Sequence, residues 1–439
     1  MNTIAAHTLG CKVNQYDTQA MLELFQKEGF RIVPIHDKAD VYLVNTCTVT
    51  GVGDRKSMQM IRRLRREHPE ARIIVCGCMA QLLGDELLET GADLILGTQN
   101  RLLVVDLLRQ AVLENRRLCA VTPLTEAQTF EPLCVSSQAD RTRAVIKIQE
   151  GCRNRCSYCI IPSVRGPIRS RPLEEIRLEL SRLAAAGFRE VVLTGIHLSS
   201  YGRETASSLT LKDVLQAVED QDGIQRVRLG SLEPGIASDD FTSALKRFSK
   251  LCPQFHLALQ SGSDTVLARM RRQYNAAQYL RAVERLRNVF PSAALTTDIL
   301  TGFPGETEAE FHETADMIER VGFARIHVFP YSQRPGTPAA SMPDQIPVQV
   351  REERARALIS LGRETALKYL TRWVGKDALV LPETLTDGQW EGYTPEYIRV
   401  RLDPDVSCTS GTPVRVTLFN PSGSGMRGRR TESGSGSVN

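Results

Sequence analysis

The first 114 residues alternate short apolar runs with amphipathic stretches at helical spacing. Segments 3–9, 41–45, 72–76 and 94–96 read as strands, and 15–28, 52–66, 82–90 and 101–114 read as helices. Strands alternating with helices predict a parallel sheet covered by helices. Pro123, Pro132 and the polar stretch 135–140 then predict a linker. A second alternating region follows, with strands at 144–149, 190–193, 226–229, 256–259, 295–300 and 325–330. Helices are expected between them, including 172–186, 238–248, 276–289 and 308–320. Such a series predicts a partial or full barrel of parallel strands, whose chemistry collects at the strand C-terminal ends. Those ends are polar and glycine-rich here: Thr194-Gly195, Gly230-Ser231, Gln260-Ser261-Gly262 and Thr301-Gly302. A long helix over 350–373 precedes short β segments at 378–381, 397–402 and 412–418, a small-barrel pattern. The Gly/Ser-rich end reads as a tail that cannot bury a core.

The chain is therefore expected to be α/β. A parallel-sheet α/β domain spans 1–116, a linker 117–140, a (β/α) partial barrel 141–373, a small β-barrel 374–418 and a disordered tail 419–439. With 439 residues, 42% hydrophobic and 24% charged, the composition is globular. No run approaches the length of a membrane-spanning helix, and the start lacks the pattern of a secretory signal, so a cytoplasmic chain is expected.

Net charge is only +4, but it is uneven. Residues 1–115 hold 13 Lys and Arg against 14 Asp and Glu, and residues 141–373 hold 33 against 26, a net of +7. Residues 374–418 hold 4 against 7, a net of −3. One local run is sharper. Arg55, Lys56, Arg62, Arg63, Arg65 and Arg66 crowd one helix, which is either a solvated face or a phosphate-contacting surface.

Eleven cysteines in a chain this long do not suggest a disulfide scaffold. Three form a CxxxCxxC run, Cys152, Cys156 and Cys159, just after the first barrel strand. Three thiolates this close can wrap one face of a [4Fe–4S] cube and leave its fourth iron open. Zinc is the rival, but structural zinc takes four protein ligands, and no fourth Cys or His lies nearby. Cys11, Cys47 and Cys78 each stand at the end of a different strand in the first domain. Parallel strands bring such ends together, so the three can converge on a second cluster site. Cys76 rivals Cys78, which is favoured because it lies beyond the strand after Gly77. Cys119, Cys134, Cys252 and Cys408 have no grouping, and His197 reads as polar packing.

The CxxxCxxC run resembles the radical S-adenosylmethionine (SAM) superfamily. Both cysteine triads in this order, together with Leu193-Thr194-Gly195, Ser231-Leu232-Glu233-Pro234, Leu259-Gln260-Ser261-Gly262-Ser263 and the DILTGFPGE segment at 298–306, resemble the radical SAM methylthiotransferases. The resemblance spans residues 2 to about 418. It implies two [4Fe–4S] clusters and SAM, which serves as radical source and as methyl donor. The second cluster supplies or carries the sulfur. Tyr158 matches the aromatic beside the adenine, and Gly195, Glu233, Gln260 and Asp298 fall where SAM would lie. Glu233 and Gln260 can instead hold a loop by hydrogen bonds, Gly195 can serve a tight turn, and Asp298 and Tyr158 can be structural.

The C-terminal module resembles a small RNA-binding domain. Its acidic balance weakens an electrostatic case for RNA, leaving stacking through Tyr393 or Tyr397. The run Gly10-Cys11-Lys12-Val13-Asn14-Gln15 most resembles the branch acting on N(6)-threonylcarbamoyladenosine at tRNA position 37. Other branches modify isopentenyladenosine or a ribosomal protein. The resemblance implies a tRNA substrate, an electron donor protein and a sulfur source as partners, and no membrane. A non-catalytic iron–sulfur sensor that binds RNA and a zinc RNA-binding protein are the rival readings.

Overall fold

The computed structural model describes residues 1–126, 129–136, 142–205 and 208–431. Parts of the expected linker (127–128 and 137–140) and of the expected tail (432–439) lie outside the described residues.

The first domain is a six-stranded parallel sheet. Its strands are Thr3–Thr8 (β1), Arg31–Ile32 (β2), Val41–Thr46 (β3), Arg72–Gly77 (β4), Leu94–Leu96 (β5) and Leu118–Ala120 (β6), in the order β2-β1-β3-β4-β5-β6. Helices Lys12–Lys27 (α1), Gly51–Glu67 (α2) and Cys78–Leu83 (α3) leave the C-terminal ends of β1, β3 and β4. β6 lies inside the expected linker, at 117–140. It is too short to show a period, and pairing with β5 decides its state.

The central domain runs through Arg143–Glu150 (β7), Arg169–Ser170 (β8), Glu190–Gly195 (β9), Arg226–Leu229 (β10), Ser231–Leu232 (β11), Gln254–Leu257 (β12), Ala294–Thr301 (β13) and Arg325–Pro330 (β14). β10-β9-β7-β8 and β11-β12-β13-β14 form two four-stranded sheets, joined in sequence from β10 to β11. A barrel strand expected at 256–259 starts earlier, at Gln254. The helix Leu211–Asp220, with a Thr210/Asp213 capping box, fills the interval between β9 and β10.

Side chains alternate along these strands. Leu295 and Ile299 of β13, Phe255 and Leu257 of β12, and Val227 of β10 join the large apolar core beneath the helices. Thr296, Asp298, Gln254, His256 and Arg228 take the other face and line the lumen.

After the 24-residue helix Val348–Thr371, strands Asp377–Thr386 (β15), Gln389–Tyr393 (β16), Arg399–Leu402 (β17), Val414–Ser422 (β18) and Gly425–Arg430 (β19) close a barrel in the order β15-β16-β17-β19-β18. Residues 419–430, expected in the tail, therefore belong to β18, β19 and the turn between them. β19 carries little apolar surface, but it pairs with both β17 and β18 through its backbone. Gly428 permits that approach, because a Cβ there would stand 2.8 Å from Val400 and Val416. Among the described residues no helix is long and apolar enough to cross a membrane.

Six buried charged groups join the first domain to the second. Arg101, Lys147 and Arg165 face Asp17, Glu131 and Glu150, three cations against three carboxylates. Lys147 Nζ lies 2.5 Å from Asp17, Arg165 3.0 Å from Glu150 and Arg101 2.8 Å from Glu131. Buried charges are tolerated only when compensated in this way. The small barrel docks against β10, where Arg228 donates to the carbonyls of Thr394 (2.8 Å) and Pro395 (2.6 Å).

Candidate active site

The strand ends of the first sheet form one corner of the site. Gly10 turns the chain out of β1 at a φ of +96°, and a Cβ there would meet Cys47 Sγ at 2.9 Å. The amide of Asn14 donates to the carbonyls of Leu9 (2.8 Å) and Thr46 (2.9 Å), tying the β1 and β3 ends together. Gly77, at a φ of +92°, leads into Cys78, the first residue of α3. Cys11 caps α1. Burial raises the Cys47 and Cys78 thiols, and the neighbouring Cys11 adds to the rise at both. Burial is the larger effect and pushes Cys78 up to about 11, opposed by Arg165, whose Nε donates to Cys78 Sγ at 3.1 Å.

Cys76 lies on the other face of the sheet, fully buried with Ile4, Met21 and Phe25. Burial there pushes its thiol up to about 12. Cys76 is taken up by that apolar layer, and the turn at Gly77 into α3 delivers Cys78 to the Cys11 and Cys47 corner.

The CxxxCxxC loop leaves β7 through Gly151, whose φ is +73° and where a Cβ would collide with Pro167 O. The backbone N–H of Asn154 donates to Cys152 Sγ at 3.4 Å, and Arg272 Nη1 donates to Cys156 Sγ at 3.0 Å. Arg272 Nη2 also holds Glu233 at 2.6 Å. Burial pushes Cys152 up to about 11 and Cys159 up to about 12. Neutral thiols so placed ionise readily only against positive charge, which iron would supply. Among the described residues no three His, Cys, Asp or Glu side chains converge as a single ion requires. Thiolates on separate corners of a cube need not meet at one point, so the donor set suits a cluster.

A cavity of about 730 Å³ lies between the two corners. Cys11 lines it from one side, and Cys152, Cys156 and Cys159 from the other. Tyr158, Gly195, Glu233 and Asp298 also line it. Tyr158 meets Phe303 edge-on with ring centroids 6.4 Å apart. Gly195 cannot carry a Cβ, which would stand 2.9 Å from Gln149. His197 is packed as the sequence implies, with its backbone N–H on Gln149 Oε1 (2.6 Å) and its ring 3.3 Å from Asn154. Gln260 is not among the lining residues. β12 has ended at Leu257, and Gln260 adopts a φ of +66° to pair its backbone with Asp298 and Leu300 of β13.

The far end of the same cavity is the polar lumen. Arg325 and His327 of β14 join Thr296, Asp298 and His256 there. His256 Nε2 lies 3.3 Å from Asp298. Tyr397 reaches this cavity from the small barrel; its ring stacks on Tyr393 at 4.7 Å, with the Arg143 guanidinium 4.8 Å from the Tyr393 centroid. On the basic helix α2, Arg65 is consumed by Asp93 at 2.5 Å and by the carbonyl of Gly91 at 2.9 Å, so it belongs to the fold.

Residues 3–97 match the family described as Uncharacterized protein family UPF0004, and residues 146–318 match the Radical SAM superfamily. A threonylcarbamoyladenosine tRNA methylthiotransferase, MtaB of Bacillus subtilis, is 41% identical over 91% of this chain and 90% of its own. The chain belongs to the radical SAM methylthiotransferase family. A tRNA-2-methylthio-N(6)-dimethylallyladenosine synthase of Syntrophotalea carbinolica is 35% identical over 95% of this chain and 98% of its own. The fold is shared with the radical SAM methyltransferase TsrM of Kitasatospora setae at a TM-score of 0.58 and 16% identity, over 77% of each chain.

Membership makes this methylthiotransferase a user of a [4Fe–4S] cluster and SAM. Several residues around the thiols carry no motif: Arg165, Arg272, His256, His327 and Arg325. A signal for the lumen residues is present nonetheless. Strands of a fully covered parallel sheet read as continuous apolar runs, whereas 254–257 and 325–328 interrupt theirs with Gln, His and Arg.

Proposed function

We propose that this methylthiotransferase converts N(6)-threonylcarbamoyladenosine at tRNA position 37 into its 2-methylthio derivative. The curated relative from Bacillus subtilis is named as a threonylcarbamoyladenosine tRNA methylthiotransferase. The observation that carries the reading is the lumen, lined by Thr296, Asp298, His256, His327 and Arg325. A threonylcarbamoyl group offers a urea, a hydroxyl and a carboxylate to such a wall. An isopentenyl group offers none, and would dehydrate this wall without replacing the hydrogen bonds of its water.

In this reading Cys152, Cys156 and Cys159 hold the cluster that binds SAM, and Cys11, Cys47 and Cys78 hold a second [4Fe–4S] cluster. When bound, the first supplies the electron that cleaves SAM, and the second supplies or carries the sulfur. The chain's own residues position the reactants. Arg272 neutralises charge at Cys156 while fixing Glu233, and Arg165 does the same at Cys78. Tyr158, Gly195, Glu233 and Asp298 border the space for SAM, and Gln260 shapes it through its backbone. The reaction needs an electron donor protein and a sulfur source, and the cytoplasm, where tRNA resides, is its place.

Mass spectrometry of tRNA nucleosides with and without the gene tests this reading. Loss of the 2-methylthio derivative, with N(6)-threonylcarbamoyladenosine accumulating, is expected. Loss of a methylthiolated isopentenyladenosine instead would replace it with the other tRNA branch. A sensor or zinc protein would release no 5′-deoxyadenosine from SAM.

A further inference from the structure

We infer that Arg325 binds the carboxylate of the substrate's threonylcarbamoyl group and thereby sets which modified adenosine is accepted. This rests on the substrate reading above. The thiols occupy one end of the cavity and the polar lumen the other. C2 of the adenine must face the thiol end, because the sulfur is placed there. N1 separates C2 from C6, so the substituent on N6 is carried away from the thiols and toward the lumen.

The charges at that end are not equally free. Arg228 is held by Glu190 at 2.6 Å and by the carbonyls of Thr394 and Pro395. Asp298 is held by His256. Arg325 has no carboxylate within ion-pair distance among the described residues; it is exposed, and it lines both this lumen and a second cavity that opens toward the small barrel. It stands at the start of β14, two residues before His327 on the same strand face. Its register partner is Thr296 of β13, whose side chain also lines the lumen. A guanidinium presents two parallel N–H groups that match a carboxylate, which a point charge such as Lys12 does not. Water satisfies the guanidinium when the cavity is open. A bound isopentenyl group would remove that water and return nothing, so the same residue admits one substrate and rejects the other.

The test compares two tRNAs that differ only at position 37, one with N(6)-threonylcarbamoyladenosine and one with unmodified adenosine. Affinities of the cluster-loaded enzyme are measured for both, for wild type, Arg325→Gln, Arg325→Lys and Lys12→Met. Wild type should prefer the modified tRNA by roughly tenfold to a hundredfold. Arg325→Gln should make the two affinities converge, and Arg325→Lys should restore part of the gap. Turnover of Arg325→Gln should show a raised KM with a smaller change in kcat. An equal loss of affinity for both tRNAs would make Arg325 a phosphate contact and overturn the inference. A gap that survives in Arg325→Gln but closes in Lys12→Met would move the carboxylate site to Lys12. Wild type that does not distinguish the two tRNAs would overturn the substrate reading itself.

Discussion

The two thiol corners face one cavity but are built in different ways. Cys152, Cys156 and Cys159 come from eight consecutive residues, and their loop is shaped by Gly151 and by Arg272, whose counter-ion Glu233 belongs to the same domain. Cys11, Cys47 and Cys78 come from the ends of three strands, and the arginine on Cys78 comes from another domain. The first corner therefore depends on a local loop. The second depends on the whole parallel sheet and on its docking to the barrel. An assembled site should be the more fragile of the two.

The largest effect that can break this comparison is removal of either triad. Protein reconstituted without oxygen should hold about eight iron atoms, from two cubes. Changing Cys152, Cys156 and Cys159 to Ala should halve the iron and abolish SAM cleavage. Changing Cys11, Cys47 and Cys78 should also halve the iron, keep SAM cleavage and abolish methylthio product. Full iron in the second variant would remove the second cluster from the assignment.

The domain contact is tested next. Arg165 is fully buried and serves Cys78, Asp17, Glu150 and Asn14 together. Arg165→Gln leaves the carboxylates of the buried group short of one cation, which costs about 3–5 kcal/mol. Thermal unfolding should show a marked fall in Tm, and iron should be lost first from the Cys11, Cys47 and Cys78 corner. Equal loss from both corners would mean that they are not built independently. A smaller effect separates two neighbours. Cys78→Ala should lose the second corner's iron. Cys76→Ala should keep it and lose only packing, about 1 kcal/mol.

This contrast also explains what the sequence could show. Strand and helix alternation and the CxxxCxxC run are local patterns, so the layered fold and the first corner were legible. The second corner was legible only through topology, since residues 11, 47 and 78 meet because parallel strands end at one edge. The choice of Cys78 over Cys76 follows from Gly77, after which the chain leaves β4; alternation alone would put 76 and 78 on one face. Arg165, Arg272 and Arg325 were not legible, because nothing in the run of residues around an arginine tells whether it meets a thiol, a carboxylate or an open cavity. β19 was missed for a related reason. Its Gly and Arg residues leave Met426 as its one apolar core residue, yet its backbone closes the barrel between β17 and β18.

The smallest expected effect concerns α2, which leaves the strand end that carries Cys47. Its arginines are not equivalent. Arg65 bonds Asp93 and the carbonyls of Gly91, Pro69 and Ala71, so replacing it would test folding rather than RNA binding. Arg63 pairs with Glu67 at 3.0 Å and Arg66 lies 3.6 Å from the same carboxylate, both in exposed positions. Such surface pairs are weak, and a phosphate could displace them. Changing Arg62, Arg63 and Arg66 to Gln, with Arg65 kept, should weaken tRNA binding and lower its slope against salt by about one for each phosphate contact removed. SAM cleavage without tRNA should not change, because its thiols lie in the central domain. Affinity measured at several salt concentrations decides the matter. Lines of equal slope and height for wild type and variant would make α2 a solvated face and turn attention to the positive central domain. A lowered slope would place the tRNA backbone beside the second thiol corner.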